Sequence, residues 1–353
     1  MRTLVIKTGA LGDVLRTTSV LPGLAARHPG LEVTWITARG ALPLVAHHRL
    51  VHAVEGVAPQ DEGELDALAR RLAGTSWQRV LSFDDEEPLC RLASTVRAAA
   101  PDAAFSGAFL AAGGERAYTD DVAPWFDMGL ISRFGKEEAD RLKIANRETH
   151  PAIFAAMLGI ERGKPELPLP PEARAFGEAF AARAGLGARA PRIGLNTGAG
   201  GRWRTKELSV ERTVELARLV SEATGGEATF LVLGGQEEAR RNAELLDRLR
   251  ALDPPVRAVD AGTDNPLLEF AAIVAQVDLL VTSDSLALHV GIALDRRIVC
   301  FFAPTSAEEI ELYGLGEKVR STAPDYCSYR PDADNASITP EVLSAKVLEV
   351  LAR

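Results

Sequence analysis

Asp284, Ser285 and His289 bring a carboxylate, a hydroxyl and an imidazole together in one short segment. Before it, residues 277–281 (Val-Asp-Leu-Leu-Val) form an apolar run that reads as a buried strand; after it, residues 290–294 carry apolar side chains at helical spacing. Ser283 or Asp284 is placed to cap that helix. A helix that starts just past the end of a sheet strand presents unpaired backbone N–H groups and a positive dipole end, and together these seat a phosphate. A lone histidine on an apolar helix is more often a satisfied core residue, but Asp284 beside His289 favours a binding site.

A second group follows the N-terminal strand: Lys7-Thr8-Gly9-Ala10-Leu11-Gly12-Asp13-Val14. Its position is that of a dinucleotide fingerprint. The Gly-x-Gly-x-x-Gly spacing is absent, however, and no Gly-Lys-Ser/Thr follows, which disfavours a nicotinamide dehydrogenase or a P-loop NTPase. Gly12 lets the backbone approach a ligand closely, and Asp13 is either a helix N-cap or a catalytic base. In the third group, Asn196 to Lys206, glycines follow Thr197 directly after a strand, and Arg202, Arg204 and Lys206 lie beyond them. Exposed N–H groups and cations of this kind bind an oxyanion; the plainer reading is a flexible loop with solvated charges. Leu233-Gly234-Gly235-Gln236-Glu237-Glu238 fills the equivalent turn one unit later, where its carboxylates either accept from a ribose or simply open a helix. Phe83-Asp84-Asp85-Glu86-Glu87 also ends a strand, so Asp84 is a candidate for contact with a second substrate, beside the reading of an acidic helix start. Asp84-Asp85 and Asp120-Asp121 lack an Asp-x-Asp pattern, and no metal or cofactor is expected.

Each of these groups needs a strand behind it and most need a helix ahead, and the chain supplies that rhythm. Strands are expected over 3–7, 33–37, 79–83, 192–196, 228–233, 256–259, 277–281 and 297–302. Helices are expected over 13–27, about 39–47, 62–73, 89–99, 209–223, 237–251, 267–276 and 340–352. Such alternation means βαβ units and a parallel sheet. The proline-rich stretch 163–171 reads as an extended linker between a domain over 1–162 and one over 172–335, with a helical tail over 336–353. Between about 109 and 150 the rhythm gives way to an irregular insertion carrying Tyr118, Trp125, Phe126 and Phe134. Trp125 and Arg141 are candidates there for meeting a second substrate. Arg133, Lys136, Arg141, Lys143 and Arg147 suit an anionic one, or form a solvated helix face. The predicted architecture is two doubly wound α/β domains facing a cleft, with ligands at the C-terminal ends of the strands.

Composition narrows the function. Hydrophobic residues make up 46% and charged residues 25%, as in a globular domain, and the net charge of −9 argues against a nucleic-acid partner. Cys90, Cys300 and Cys327 are scattered and odd in number, which suits reduced thiols in a cytosolic protein. The first seven residues read as a strand rather than a signal peptide, and no apolar run approaches the roughly 20 residues of a membrane span. The expected location is cytoplasmic, with peripheral contact with the inner membrane left open.

Taken together, the groups resemble family 9 glycosyltransferases, the ADP-heptose:lipopolysaccharide heptosyltransferases. The resemblance rests on Lys7-Thr8-x-x-Leu11-Gly12-Asp13-Val14, Trp203-x-Thr205-Lys206, Gly234-Gly235-x-x-Glu238, Ser283-Asp284-Ser285-x-x-x-His289, Ala293-Leu294-Asp295-Arg296 and Ala303-Pro304-Thr305. It implies a GT-B fold, with the acceptor side N-terminal and the nucleotide-sugar side C-terminal. It also implies an inverting, metal-independent transfer to a glycan or glycolipid acceptor. By that resemblance Asp13 is the general base and Lys206 binds the diphosphate. The helix start at Asp284, Ser285 and Leu286 stabilises its charge, Glu238 contacts the nucleoside, Asp284 holds sugar hydroxyls, and Thr197 and His289 complete the donor shell.

The chain departs from the family pattern in places. The usual Asp-Thr-Gly-Leu-x-His is Asp284-Ser285-Leu286-Ala287-Leu288-His289 here, which puts the Leu286 side chain where backbone would approach the donor. Gly9-Ala10 replaces a frequent Ser-Ser, and Lys206-Glu207-Leu208-Ser209 replaces Lys-x-Trp-Pro. A sugar-nucleotide epimerase or hydrolase of the same fold, and a nucleotide-sugar-binding protein without catalysis, are the rival readings. Asp13 and Lys206 speak against the second.

Overall fold

The computed structural model describes every residue except Leu130, 188–190, Ala199 and 201–203. The chain divides into two compact units, Met1–Pro168 and Leu169–Arg353.

In the first unit β1 (Arg2–Ile6) leads into α1 (Leu11–Thr17) and α2 (Val20–Arg27), then β2 (Glu32–Ala38) and β3 (Val51–Val57). They are followed by α3 (Glu62–Ala73), β4 (Arg79–Ser82), α4 (Glu87–Ala99), β5 (Ala104–Leu110), β6 (Arg116–Tyr118), α5 (Ala123–Asp127), α6 (Lys136–Ala145) and α7 (His150–Leu158). The sheet order is β3-β2-β1-β4-β5-β6, parallel throughout except for the β5–β6 pair. Leu4, Val5 and Ile6 on β1 are all fully buried, as a central parallel strand covered on both faces requires. Leu4 and Ile6 pack with Leu65, Leu68, Leu72, Leu89 and Leu92 from α3 and α4.

Three expectations for this unit change. The helix expected over 13–27 is broken at Thr18 and Ser19. In an unbroken helix Pro22 would clash with the Thr18 carbonyl, whereas starting α2 at Val20 puts Pro22 in a first turn that needs no N–H from it. The helix expected near 39–47 is a 3-10 turn, Arg39–Leu44, with Pro43 inside it. The segment about 109–150, expected to be irregular, carries the β5–β6 hairpin and the helices α5 and α6.

The second unit opens with α8 (Pro171–Arg183), β7 (Arg192–Asn196), α9 (Val210–Ala223), β8 (Thr229–Val232), α10 (Ala239–Arg250), β9 (Ala258–Asp260) and α11 (Leu267–Val274). It continues with β10 (Leu279–Ser283), α12 (Leu286–Ala293), β11 (Arg297–Phe302), β12 (Gly316–Arg320) and α13 (Pro340–Leu351). Its sheet is parallel in the order β12-β11-β10-β7-β8-β9. Gly177 lets α8 lie close against α11, since a Cβ there would stand 2.6 Å from the Ala272 carbonyl oxygen. Leu343, Val347 and Val350 of α13 join the core formed by Ile193, Phe230, Val281 and Phe301.

The two sheets share one winding. In each, the first strand lies at the middle, two more strands build outward on one side, and the chain then returns to build the other side. The strand order therefore reverses between β1 and β4 in the first unit and between β7 and β10 in the second. Loops leaving those strands splay apart at such a point and leave room for a ligand. Among the described residues no helix is long and apolar enough to cross a membrane.

Candidate active site

At the reversal point of the first unit, Lys7 and Thr8 leave β1 beside Phe83 and Asp84 leaving β4. Asp84 is 4% exposed. One of its oxygens pairs with the Lys7 ammonium; the other accepts from the Thr8 backbone N–H and, at 2.7 Å, from the Thr8 hydroxyl. Burial works against the Lys7 charge, but Asp84 and Asp13 outweigh it and hold the ammonium above its ordinary range. Asp84 thus ties the turn after β1 to the end of β4.

Asp13 is not the N-cap of α1; Ala10 holds that place, and Asp13 lies in the first turn with Gly12 before it. Its carboxylate pairs with Arg16 one turn on at 2.8 Å, and its side chain stays 36% exposed. The Arg16 guanidinium lies over the Trp125 ring, 5.4 Å from its centroid. Trp125 on α5 is set in turn by edge contacts with His150 at 5.1 Å and Phe154 at 5.2 Å. Arg141, on α6, is exposed and forms a two-pronged pair with Glu138 in the same helix at 2.6 and 2.7 Å. Arg133 pairs with Asp127 and Lys136 with Asp140. The charged run is largely a set of local helix and loop pairs.

At the reversal point of the second unit the groups are mostly neutral. The Asn196 amide donates to the Ser285 hydroxyl at 3.3 Å and to the Thr282 hydroxyl at 3.4 Å, and the two hydroxyls lie 3.1 Å apart. Neither Ser283 nor Asp284 caps α12. Ser285 occupies that position and forms no side-chain cap bond, its hydroxyl being held by Thr282 and Asn196. In the first turn of α12, which begins at the partly buried Leu286, the Leu288 N–H donates to the Ser285 carbonyl at 3.1 Å, and the N–H groups of Leu286 and Ala287 are the ones suited to an anion.

Beside that turn, the Lys206 ammonium donates to the Asp284 carbonyl at 2.9 Å and to its carboxylate at 3.0 Å. The other Asp284 oxygen lies 3.9 Å from Nε2 of His289, which is 5% exposed. Lys206 and His289 therefore lie at different oxygens of the Asp284 carboxylate, next to the start of α12.

Thr197 and Glu238 shape the loop that carries Lys206. Thr197 is fully buried, and its hydroxyl accepts from Arg241 at 2.8 Å. Arg241 also donates to the Leu208 carbonyl, and burial lowers its guanidinium's affinity for the proton despite the nearby Glu207 and Glu238. Glu238 accepts from the backbone N–H of Gly200 at 2.7 Å and of Gly235 at 2.8 Å, joining the two glycine turns. Gly198 packs so tightly on it that a Cβ at 198 would stand 2.3 Å from Glu238 Cγ. Asn335 holds the same loop from the other side, donating to the carbonyls of Thr205 and Glu207 at 3.1 and 2.9 Å. The sequence motif also named Ala199, Gly201, Arg202 and Trp203, which lie outside the described residues.

Sequence reasoning passed over Arg16, Arg241 and Asn335. A helical arginine reads as a solvated charge, and its only early signal here was Arg16 standing three residues after Asp13. Tyr329 was also missed. Its hydroxyl donates to Glu309 at 3.2 Å, and burial first, then Glu309 and Asp284 nearby, push it well above the ordinary range of a phenol.

Residues 141–332, more than half of the chain, match glycosyltransferase family 9 (heptosyltransferase). The chain belongs to glycosyltransferase family 9. Solved structures agree on its fold. A family 9 glycosyl transferase from Veillonella parvula DSM 2008 is 18% identical, with a TM-score of 0.75 over 99% of this chain and 97% of that one. The E. coli ADP-heptose lipopolysaccharide heptosyltransferase II is 18% identical, with a TM-score of 0.69 over 100% of this chain and 99% of that one. An E. coli heptosyltransferase in complex with ADP-2-deoxy-2-fluoro heptose is 18% identical, with a TM-score of 0.61 over 99% of both chains. No curated protein sequence matches the chain. The two parallel-sheet α/β units of this family 9 enzyme are those of GT-B glycosyltransferases.

Proposed function

We propose that this glycosyltransferase performs an inverting transfer of heptose from ADP-heptose to a lipopolysaccharide-core or other envelope glycan. The observation that carries the reading is the grouping of Lys206, Asp284 and His289 next to the start of α12. A departing nucleoside diphosphate needs positive charge where its negative charge grows. The Lys206 ammonium and the N–H groups of α12 supply it without a metal ion. Asp284 accepts from sugar hydroxyls, and the Glu238 turn borders the nucleoside.

In the reaction the acceptor hydroxyl oxygen bonds to the anomeric carbon as the bond from that carbon to the diphosphate oxygen breaks. The bonding pair leaves with the nucleoside diphosphate. Asp13 takes the hydroxyl proton as general base. The bound ADP-sugar in one structural relative supports the choice of donor.

Thermal-shift screening of the full chain against ADP-heptose, UDP-sugars and GDP-sugars tests the donor. A ligand at a hundred times its dissociation constant adds about 2.7 kcal/mol of stability, and ADP-heptose is expected to give the largest shift. ADP release is then followed with and without a heptose-deficient lipopolysaccharide core, in EDTA. Acceptor-dependent release is the expected result, whereas equal release without acceptor makes the enzyme a hydrolase or epimerase. Asp13→Ala is expected to keep the ADP-heptose thermal shift and to lose transfer by about a hundredfold or more. Near wild-type turnover by that variant removes Asp13 as the base.

A further inference from the structure

We infer that Arg16, held in place by Trp125, is the positioning residue that aims Asp13 and sets the pH at which it becomes able to accept a proton. The inference rests on the reading of Asp13 as general base. Asp13 and Arg16 stand three residues apart on α1, so their side chains meet on one face of the helix, at 2.8 Å. On a bare helix surface such a pair is loose, because two long side chains must give up rotamer freedom to meet. Here the Arg16 side chain is only 16% exposed and its guanidinium is covered by the Trp125 ring. The ring is itself fixed by edge contacts with His150 and Phe154, which stack on each other at 4.0 Å. Order passes from the buried Phe154 through Trp125 and Arg16 to the carboxylate. A guanidinium is suited to this arrangement, since it can lie over the indole ring while an N–H edge meets the carboxylate.

The chemical consequence follows from charge. Among the groups near Asp13 are Arg16 on its own helix and, from β1, Lys7, whose ammonium feels both Asp13 and Arg16. Asp84 lies behind Lys7 at the end of β4, and His150 reaches the assembly from α7 through Trp125. Arg16 is a cation in direct contact with Asp13, so it favours the ionised carboxylate, the form able to take the acceptor proton. When the proton arrives the ion pair weakens to a neutral contact, which favours passing the proton on to solvent and restoring the base.

Two readouts on the full chain test this. Aspartate carboxyl carbons are labelled with 13C, the Asp13 signal is identified by its loss in Asp13→Asn, and its titration midpoint is measured. Arg16→Gln is expected to raise the midpoint by about one pH unit and Arg16→Lys by less. The acid limb of the kcat profile with ADP-heptose and lipopolysaccharide core is expected to move by the same amount in Arg16→Gln. At neutral pH kcat should fall about tenfold to a hundredfold with KM for ADP-heptose unchanged. Trp125→Leu is expected to follow Arg16→Gln at smaller amplitude, and Trp125→Phe, which keeps a ring under Arg16, to depart from wild type by less than Trp125→Leu.

An unchanged midpoint and acid limb in Arg16→Gln overturns the inference while leaving Asp13 as base. Undiminished transfer by Asp13→Asn overturns the base reading, and the carboxyl titration still decides whether Arg16 controls the charge of Asp13.

Discussion

The two reversal points share one strand order but are filled differently. Between β1 and β4 the space is closed by a buried ion pair, Lys7 with Asp84, which also clamps Thr8. Between β7 and β10 it holds an amide and two hydroxyls, Asn196, Thr282 and Ser285, and the charged groups stand forward at Lys206 and Asp284. Each unit also carries one buried carboxylate that fastens backbone N–H groups and one more exposed carboxylate paired with a cation. Asp84 and Glu238 are the fasteners. Asp13 and Asp284 are the exposed members, paired with Arg16 and Lys206. The difference teaches that an acidic residue after a strand is not a site by its type alone. What separates the two pairs is that the fasteners also hold backbone N–H groups.

The comparison is most severely tested at Asp84. Asp84→Ala leaves the Lys7 ammonium buried without its partner and is expected to cost about 3–5 kcal/mol. Urea unfolding followed by tryptophan fluorescence reports it, since Trp35, Trp77 and Trp125 all lie in the first unit. A loss below about 1 kcal/mol would remove Asp84 from the fasteners.

Glu238→Ala removes two backbone contacts that loops can partly replace with water, so a smaller loss of about 1–3 kcal/mol is expected. The ADP-heptose thermal shift should shrink with it, because the turn carrying Gly200 loses its anchor. If binding is untouched, the clamp does not serve the donor.

Alkaline titration probes the first reversal point. The Lys7 ammonium is held above its ordinary 10.5, so the folded state grips this proton more tightly than the unfolded chain. That stabilisation is complete below about pH 10 and is lost as pH rises through the folded-state value. Urea midpoints measured from pH 8 to pH 11 should fall in wild type and fall less steeply in Lys7→Met. Parallel curves would show that Lys7 gains nothing from Asp84.

Arg141→Ala sets the floor. Its pair with Glu138 is exposed, so stability should change by no more than about 0.5 kcal/mol, and transfer should be unaffected. A clear rise in KM for the lipopolysaccharide core would instead bring α6 into acceptor binding.

Much of the fold was legible because burial and capping write themselves into sequence. β7 and β11 run over 192–196 and 297–302 as expected, both being apolar strands inside a sheet. α3 runs over 62–73 as expected, with Asp61 accepting from the Glu64 N–H at its start and a strongly one-sided apolar face. Of the missed strands, β3, β6 and β12 are edge strands with partly exposed faces, β5 lies inside its sheet between β4 and β6, and α8 is blurred by its alanines and glycine.

At the candidate site, residue type was legible and partnership was not. Lys206 and Asp284 were each singled out, but nothing in a linear chain says that residues 78 positions apart share a hydrogen bond. Glu238 reads in the sequence either as a ribose acceptor or as a helix opening, and nothing in the linear chain signals that its oxygens accept from Gly200 and Gly235. The even choice between cap and base at Asp13 was narrowed by one fact of backbone geometry, that α1 begins two residues earlier.

The close packing of Gly198 on Glu238 also governs how this sequence can drift. A Cβ at 198 would lie 2.3 Å from Glu238 Cγ, so a side chain there displaces the Glu238 side chain from its present place. A lineage that elaborates 198 therefore gives up the present seat of Glu238 unless residue 238 is shortened first. The two positions are coupled, and descendants should differ from this chain at both places or at 238 alone more often than at 198 alone.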